Sequence, residues 1–211
     1  MKTVLLTGFE PFGGESLNPS EEIVRQLHGL TIIRHRVVGG LLPCVFGAAL
    51  KELKHLIKLH DPVLVLCIGQ AGGRAEITPE RVAINVDDAR IADNAGQQPV
   101  DKPINRAGPV AYWSTLPIKA IVQALQKRGI PAAVSQTAGT FVCNHVFYGL
   151  MHELRNQPKI RGGVVHVPYL PEQTRDKASL SLEIMVKAMV LAIEVSLTRR
   201  RDMRRVGGAT H

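Results

Sequence analysis

Two rhythms of apolar residues alternate along this chain. Short unbroken runs of strand length are separated by stretches in which apolar residues recur three and four positions apart. Thr3–Thr7 reads as a buried first strand, followed by a loop, Gly8-Phe-Glu-Pro-Phe-Gly-Gly14. Asn18-Pro-Ser-Glu21 is a helix start, with Asn as N-cap, Pro at the first helical position and Glu at the third. Ile23, Val24 and Leu27 supply its inner face, and Gly29 stops it. The pattern next predicts a strand over 30–38 and a helix from near Pro43 to His60, with Leu50, Leu53, Leu56 and Ile57 inward. Val63–Ile68 is continuously apolar, as expected of a central parallel strand covered on both faces.

Farther on, Val82–Val86 alternates as a short strand. Residues 93–109, rich in Gly, Pro, Asn and Gln, read as a long surface loop. A helix follows from Pro117 to Gly129, then a strand over 130–135. Beyond Cys143 a helix places Val146, Phe147, Leu150, Met151 and Leu154 on one face, with His145 and His152 on its polar side as structural residues. A strand over 162–171 carries His166, and a final helix spans 174–198. Alternating strand and helix predict a three-layer α/β/α sandwich with a largely parallel central sheet. It forms one domain over residues 1–198, followed by a basic tail, 199–211, expected to be disordered.

Composition narrows the classes. The chain has 211 residues, 45% hydrophobic and 21% charged, enough for one sizeable core. No apolar run approaches the roughly 20 residues that span a bilayer, so no membrane association is expected. The apolar run before Gly8 is too short for a signal peptide, so export is not expected either. Of the net charge of +8, half sits in the tail, which holds five Arg and one Asp. The remaining Lys and Arg are interspersed with acids, which argues against a nucleic-acid surface. Three cysteines (Cys44, Cys67, Cys143), with no C-x-x-C pair and no metal-ligand spacing, suit a reducing cytoplasm and predict neither disulfide, metal nor cofactor.

The chemistry concentrates where strands empty into glycine-rich turns. A cysteine at a helix start, as Cys143 is placed, faces unsatisfied backbone N–H groups that favour a thiolate, although a cysteine near a turn can equally be packing. Such a nucleophile needs a base, and the base needs an orienting group. His166, inside an apolar strand, could be that base or a satisfied structural histidine. Cys67 reads as core. Gly69-Gln-Ala-Gly-Gly-Arg74 lets backbone approach a ligand closely, but lacks the Lys-Ser/Thr of a phosphate loop. Within it, Gln70 offers a donor and an acceptor together. Phe9 and Phe12 either plug the core edge or form an apolar platform at a strand's carboxyl end.

Six ordered stretches carry a family resemblance. They are Gly8-Phe-Glu-Pro-Phe-Gly-Gly14 with Asn18-Pro-Ser20, Gly69-Gln-Ala-Gly-Gly-Arg74, Glu80-Arg-Val-Ala-Ile-Asn85, Asp88-Ala-Arg-Ile-Ala-Asp-Asn94, Ser135-x-x-Ala-Gly-Thr-x-Val-Cys-Asn144 and His166-Val-Pro-Tyr-Leu-Pro171. From residue 3 to about 195 the chain resembles the pyroglutamyl peptidase I family. The resemblance implies a phosphorylase/hydrolase-like fold and a cysteine omega-peptidase that removes N-terminal pyroglutamate from peptides and proteins through a thioester. It implies Cys143 as nucleophile, His166 as base and Glu80 as the acid orienting it. It further implies a pyroglutamate pocket lined by Phe9, Phe12, Ile91, Phe141 and Val142, with Gln70 near the lactam and Arg90 near the oxyanion. A homotetramer is the assembly it implies. The competing readings are another thiol amidase on the same fold, or a catalytically silent protein that binds an acidic partner through its tail.

Overall fold

A computed structural model describes residues 1–208. Its main sheet has six strands in the order β2-β3-β1-β4-β8-β5, where β1 is Lys2–Phe9, β2 Thr31–Ile32, β3 His35–Leu42, β4 Leu64–Gln70, β5 Thr78–Pro79 and β8 Arg161–Val167. β3, β1, β4 and β8 run parallel, whereas the short edge strands β2 and β5 run antiparallel to their neighbours. A separate antiparallel ribbon joins β6 (Val82–Ile84) to β7 (Ala111–Trp113).

Helices cover both faces. Alternate residues of β4 explain why its run is apolar throughout. Leu64, Leu66 and Ile68 pack with α1 (Pro19–Leu27), α3 (Ile118–Gln126) and α5 (Leu182–Thr198), while Val65 and Cys67 pack with α2 (Ala48–His60) and α4 (Val142–Leu154). The two cores are the outer interfaces of a three-layer α/β/α sandwich. No helix among the described residues is long and apolar enough to cross a membrane.

Local signals act largely as the sequence suggests. Asn18 caps α1 by accepting from the Ser20 N–H, with Pro19 at the first helical position. Gly129 takes a left-handed φ of 71° after α3. The differences have physical causes. The single strand expected over 30–38 is a hairpin: Ile33 and Arg34 both take positive φ (44° and 59°), as a two-residue turn requires. Neither residue type advertises that turn. Gly39 and Gly40 lie inside β3, because a Cβ there would meet Val24 Cγ1 at 2.7 Å and Leu56 Cδ1 at 2.5 Å. The glycines let α1 and α2 close onto the sheet.

Residues 130–135 form isolated bridges, Ile77 with Ala132 and Glu80 with Ser135, instead of a strand. Pro131 has no N–H to give, and its partner segment contains Pro79. Helix α2 begins five residues after Pro43. Helix α5 begins at Leu182, where Ser181 caps it by accepting from Ile184 N–H, eight residues later than expected.

His145 is buried, not on a polar face. Its Nδ1 pairs with Asp87 Oδ2 at 2.9 Å and its Nε2 accepts from Gly47 N–H at 3.1 Å. Asp87 fixes the tautomer, and the histidine ties α4 to the start of α2.

The tail also departs from expectation. Asp202 accepts from the N–H groups of Lys119 and Ala120, both at 3.0 Å, and so supplies the cap that Pro117 lacks at the start of α3. The Gly207 carbonyl accepts from Arg81 Nη2 at 2.6 Å and Gln136 Nε2 at 3.1 Å. Residues 199–208 therefore lie along the domain. The last part of the expected tail, 209–211, falls outside the described residues.

Candidate active site

The carboxyl ends of β1, β4 and β8 lie side by side. From β1 the chain passes to β3 on one side and then returns across it to β4 on the other, and this reversal opens a crevice where open α/β sheets bind ligands. In the β4–β8 ladder Gly69 stands opposite His166. Both belong to the positions that face α4, as Val65, Cys67 and Val164 do. The N-terminus of α4 lies over this spot and brings Cys143 to it.

A Cβ at Gly69 would lie 2.9 Å from both Cys143 Sγ and His166 Nε2. The missing side chain at Gly69 is thus the space in which thiol and imidazole meet. Phe141, the residue before α4, provides no side-chain cap, and the first intrahelical bond is His145 N–H to the Phe141 carbonyl. The N–H groups of Val142, Cys143 and Asn144 accordingly have no intrahelical acceptor, and they create a positive field at the thiol.

On its other edge, His166 Nδ1 is 2.7 Å from Glu80 Oε1. Glu80 is fully buried and His166 is 3% exposed. The strand β5 sets this contact, since Thr78 pairs with His166 across the ladder and Glu80 N–H donates to the Val164 carbonyl. Arg74 Nη1 donates to the same Glu80 oxygen at 2.6 Å and to Thr78 Oγ1 at 2.7 Å, while its Nη2 donates to the Thr137 carbonyl at 2.9 Å. One guanidinium therefore joins the glutamate to the loop that leads into Cys143.

Burial works against charge on Glu80, but hydrogen bonds and charge from His166, with Ser135 and Arg74 adding to them, hold its pKa below the ordinary value. Burial likewise opposes a proton on His166. The charge and hydrogen bond of Cys143, then those of Glu80, outweigh it and raise the histidine to about 9. The other two thiols are buried, and burial is the main cause that raises their pKa values, Cys67 to about 12. Cys44 lies in the core with Phe9, Leu42 and Phe46 and not in the cleft.

A cleft of about 350 Å³ opens above the thiol, lined among others by Phe12, Gln70, Arg90, Ile91, Phe141 and His166. Phe12 and Phe141 lie with ring centroids 5.9 Å apart, and Phe46 packs edge-on behind Phe141 at 5.4 Å. Of the residues expected to line the pocket, Phe9 and Val142 do not. Both side chains are buried in the core between the sheet and α2 and α4, Phe9 because it continues the inward alternation of Leu5 along β1.

Sequence reasoning passed over three contributors. Arg74 closes a glycine-rich loop, and nothing in that motif marks it as a partner of Glu80. Phe46 was hidden in an irregular stretch read as helix. Asn144 follows Cys143 in the motif: its Oδ1 accepts from Ile84 N–H, and its Nδ2 donates to the Ile84 and Val86 carbonyls, which fixes β6 against α4.

A thiol at an uncapped helix N-terminus, facing a buried histidine–carboxylate pair at the carboxyl edge of a parallel sheet, defines an α/β cysteine hydrolase. A family model described as pyroglutamyl peptidase matches residues 2–199. A pyrrolidone-carboxylate peptidase of Bacillus cereus is 58% identical over 215 positions, covering 100% of each chain. The crystal structure of pyroglutamyl peptidase I from Bacillus amyloliquefaciens, 52% identical, aligns with a TM-score of 0.95 over 97% of this chain and 99% of its own. That of the pyrrolidone carboxyl peptidase from Thermococcus litoralis, 40% identical, aligns with a TM-score of 0.94 over 98% and 99%. The chain belongs to the pyroglutamyl peptidase family.

Proposed function

We propose that this chain hydrolyses the amide bond after an N-terminal pyroglutamyl residue, with Cys143 as nucleophile, His166 as acid–base and Glu80 as the group that orients the ring. The observation that carries the proposal is the line from Glu80 through His166 to Cys143 at the floor of an aromatic cleft. Glu80, an ionised acceptor, keeps the proton on His166 Nδ1 and turns Nε2 toward the thiol.

His166 Nε2 already holds the proton of the Cys143 thiol, as its raised pKa favours, and Sγ bonds to the scissile carbonyl carbon. The tetrahedral oxyanion draws on the free N–H groups at the start of α4 and on the positive charge of Arg90. The intermediate collapses with cleavage of the C–N bond, and the His166 proton passes to the leaving amine. Water, deprotonated by His166, then attacks the thioester; the C–S bond breaks and pyroglutamate leaves.

The substrate's neutral lactam ring has apolar faces and one amide edge. It suits a slot between Phe12, Ile91 and Phe141 with Gln70 at its rim. Family relationship further supports a homotetramer, and three unpaired cysteines support a cytoplasmic setting.

The test compares kcat/KM for peptides that begin with pyroglutamate, proline or glutamine and are otherwise identical. Proline replaces the lactam with a charged secondary ammonium and lacks the carbonyl. Sites that hydrogen-bond a substrate group reject analogues without it by roughly 10⁴-fold. Cleavage after pyroglutamate alone is expected. Proline within about tenfold of pyroglutamate would refute the lactam pocket and favour a less selective thiol amidase, and no turnover of any peptide would favour a silent binder.

A further inference from the structure

Gln70 ends β4 on the sheet face opposite His166, is 8% exposed, and brings a side-chain amide to the group of residues that lines the cleft. Which end of that amide meets a ligand decides what the rim recognises. An NH2 group there selects a carbonyl, and an oxygen selects an N–H or a cation.

Gln173, in the turn after β8, settles the question by elimination. The Leu170 backbone N–H can only donate, and it donates to Gln173 Oε1 at 2.9 Å. That contact fixes the Gln173 amide and points its NH2 the other way. Gln173 Nε2 then donates to the Leu17 carbonyl at 3.1 Å, an atom that can only accept, and to Gln70 Oε1 at 2.9 Å. Two single-purpose backbone groups therefore dictate one orientation, and Gln70 Oε1 is occupied as an acceptor. Its Nε2 makes no hydrogen bond among the described residues and is left to donate to a ligand.

We propose that Gln173 is a positioning residue for specificity. By fixing the polarity of the Gln70 amide, it makes the cleft a receptor for the carbonyl of a neutral lactam. Gln173 is not a catalytic residue, since it touches Gln70 and two backbone groups and does not line the cleft. The inference rests on the lactam reading given above and adds the residue that imposes it. It also explains how the loop after β1 enters recognition: the Leu17 carbonyl, just before the α1 cap, is one of the two atoms that read the orientation of Gln173.

The test uses Gln173→Glu and Gln173→Met. The carboxylate of Gln173→Glu can still accept from Leu170 N–H but has no proton for Gln70 Oε1. Gln70 must turn its NH2 toward that carboxylate and its oxygen into the cleft. Gln173→Met removes the donor without adding charge and leaves Gln70 free to rotate. The readouts are KM and kcat for a pyroglutamyl amide, and the protection by 2-pyrrolidone of Cys143 against iodoacetamide.

For Gln173→Glu, KM and the protecting concentration of 2-pyrrolidone should both rise about 100-fold, as a lost and then opposed hydrogen bond demands. For Gln173→Met the rise should be about tenfold. In both variants the alkylation rate of Cys143 without 2-pyrrolidone, and kcat, should stay within about threefold of the parent, since the thiol–imidazole pair is untouched. The preference for pyroglutamyl over prolyl substrate should narrow most in Gln173→Glu.

Parental KM and parental protection in either variant would overturn the proposal while leaving the pyroglutamyl reading in place. A fall in kcat and alkylation rate with no separate change in KM would overturn it too, by showing a merely structural role. Absence of 2-pyrrolidone protection and of turnover in the unaltered protein would instead remove the reading on which the proposal rests, and the proposal with it.

Discussion

His166 Nδ1 and Glu80 Oε1 lie 2.7 Å apart with both side chains shut off from solvent. A carboxylate can only accept, so the shared proton belongs to the imidazole and the ring has one orientation. The two residues therefore do unequal work. His166→Ala should remove the proton carrier and lower kcat/KM by about 10²–10⁴-fold or more. Glu80→Gln leaves a base in place with a poorer tautomer and should retain measurable turnover. Equal activity of Glu80→Gln and the parent, with the fold intact by circular dichroism, would take Glu80 out of the mechanism.

The raised His166 pKa gives a pH signature. The folded value of about 9 exceeds the ordinary 6.5, so its protonated form stabilises the fold fully below about pH 6.5, and that stability is lost as pH rises through about 9. Glu80 is shifted the other way. Its contribution is present above the ordinary 4.5 and is lost as pH falls through its lower folded value. The kcat/KM profile should therefore decline on the alkaline side near pH 9. Among the influences that raise His166, Cys143 is the largest, so Cys143→Ala should lower the imidazole pKa in an NMR titration. Arg74→Gln removes a cation from Glu80 and should move the acid limb toward neutral pH. An unchanged His166 titration in Cys143→Ala would contradict this account.

Gly69 is needed for space. A methyl group there would come within 2.9 Å of Cys143 Sγ and 2.8 Å of His166 Cδ2, so thiol and imidazole would have to move apart. Gly69→Ala should lower kcat by about 100-fold, as displacements of an ångström do. KM should change little, because Gly69 is not among the residues that line the aromatic cleft. A variant with parental kcat would show that the pair tolerates separation.

Asp202 caps α3 from outside the helix. Asp202→Ala should cost about 1 kcal/mol, the usual worth of such a cap, seen as a lower denaturant midpoint with kcat/KM unchanged. An unchanged midpoint would mean that the segment rests on the domain without supporting it.

How much of this was legible depended on whether the cause was local. The α1 cap, the apolar run of β4 and the inner face of α4 follow from neighbours in sequence, and all three lie where the pattern puts them. The Ile33-Arg34 turn was not legible, because its left-handed backbone is imposed by pairing and not by residue type. The Asp202 cap and the Gly39–Gly40 packing join residues far apart in sequence, so no window along the chain contains them. The motifs named Cys143, His166 and Glu80. Only the fold shows that Gly69 makes room for the first two and that Arg74 shares an oxygen of the third. Phe9 and Val142 belong to conspicuous motifs, yet strand alternation and the first turn of α4 send them into the core.

The central claim is that turnover passes through an acyl group on Cys143. Rapid acid quenching of the protein during turnover of a pyroglutamyl ester, followed by intact mass measurement and peptide mapping, tests it directly. Cys143 is half-buried at the cleft, whereas Cys44 and Cys67 are buried. The account predicts one pyroglutamyl group per chain, confined to the peptide containing Cys143 and absent in Cys143→Ala. An adduct on Cys44 or Cys67, or undiminished turnover by Cys143→Ala, would contradict it.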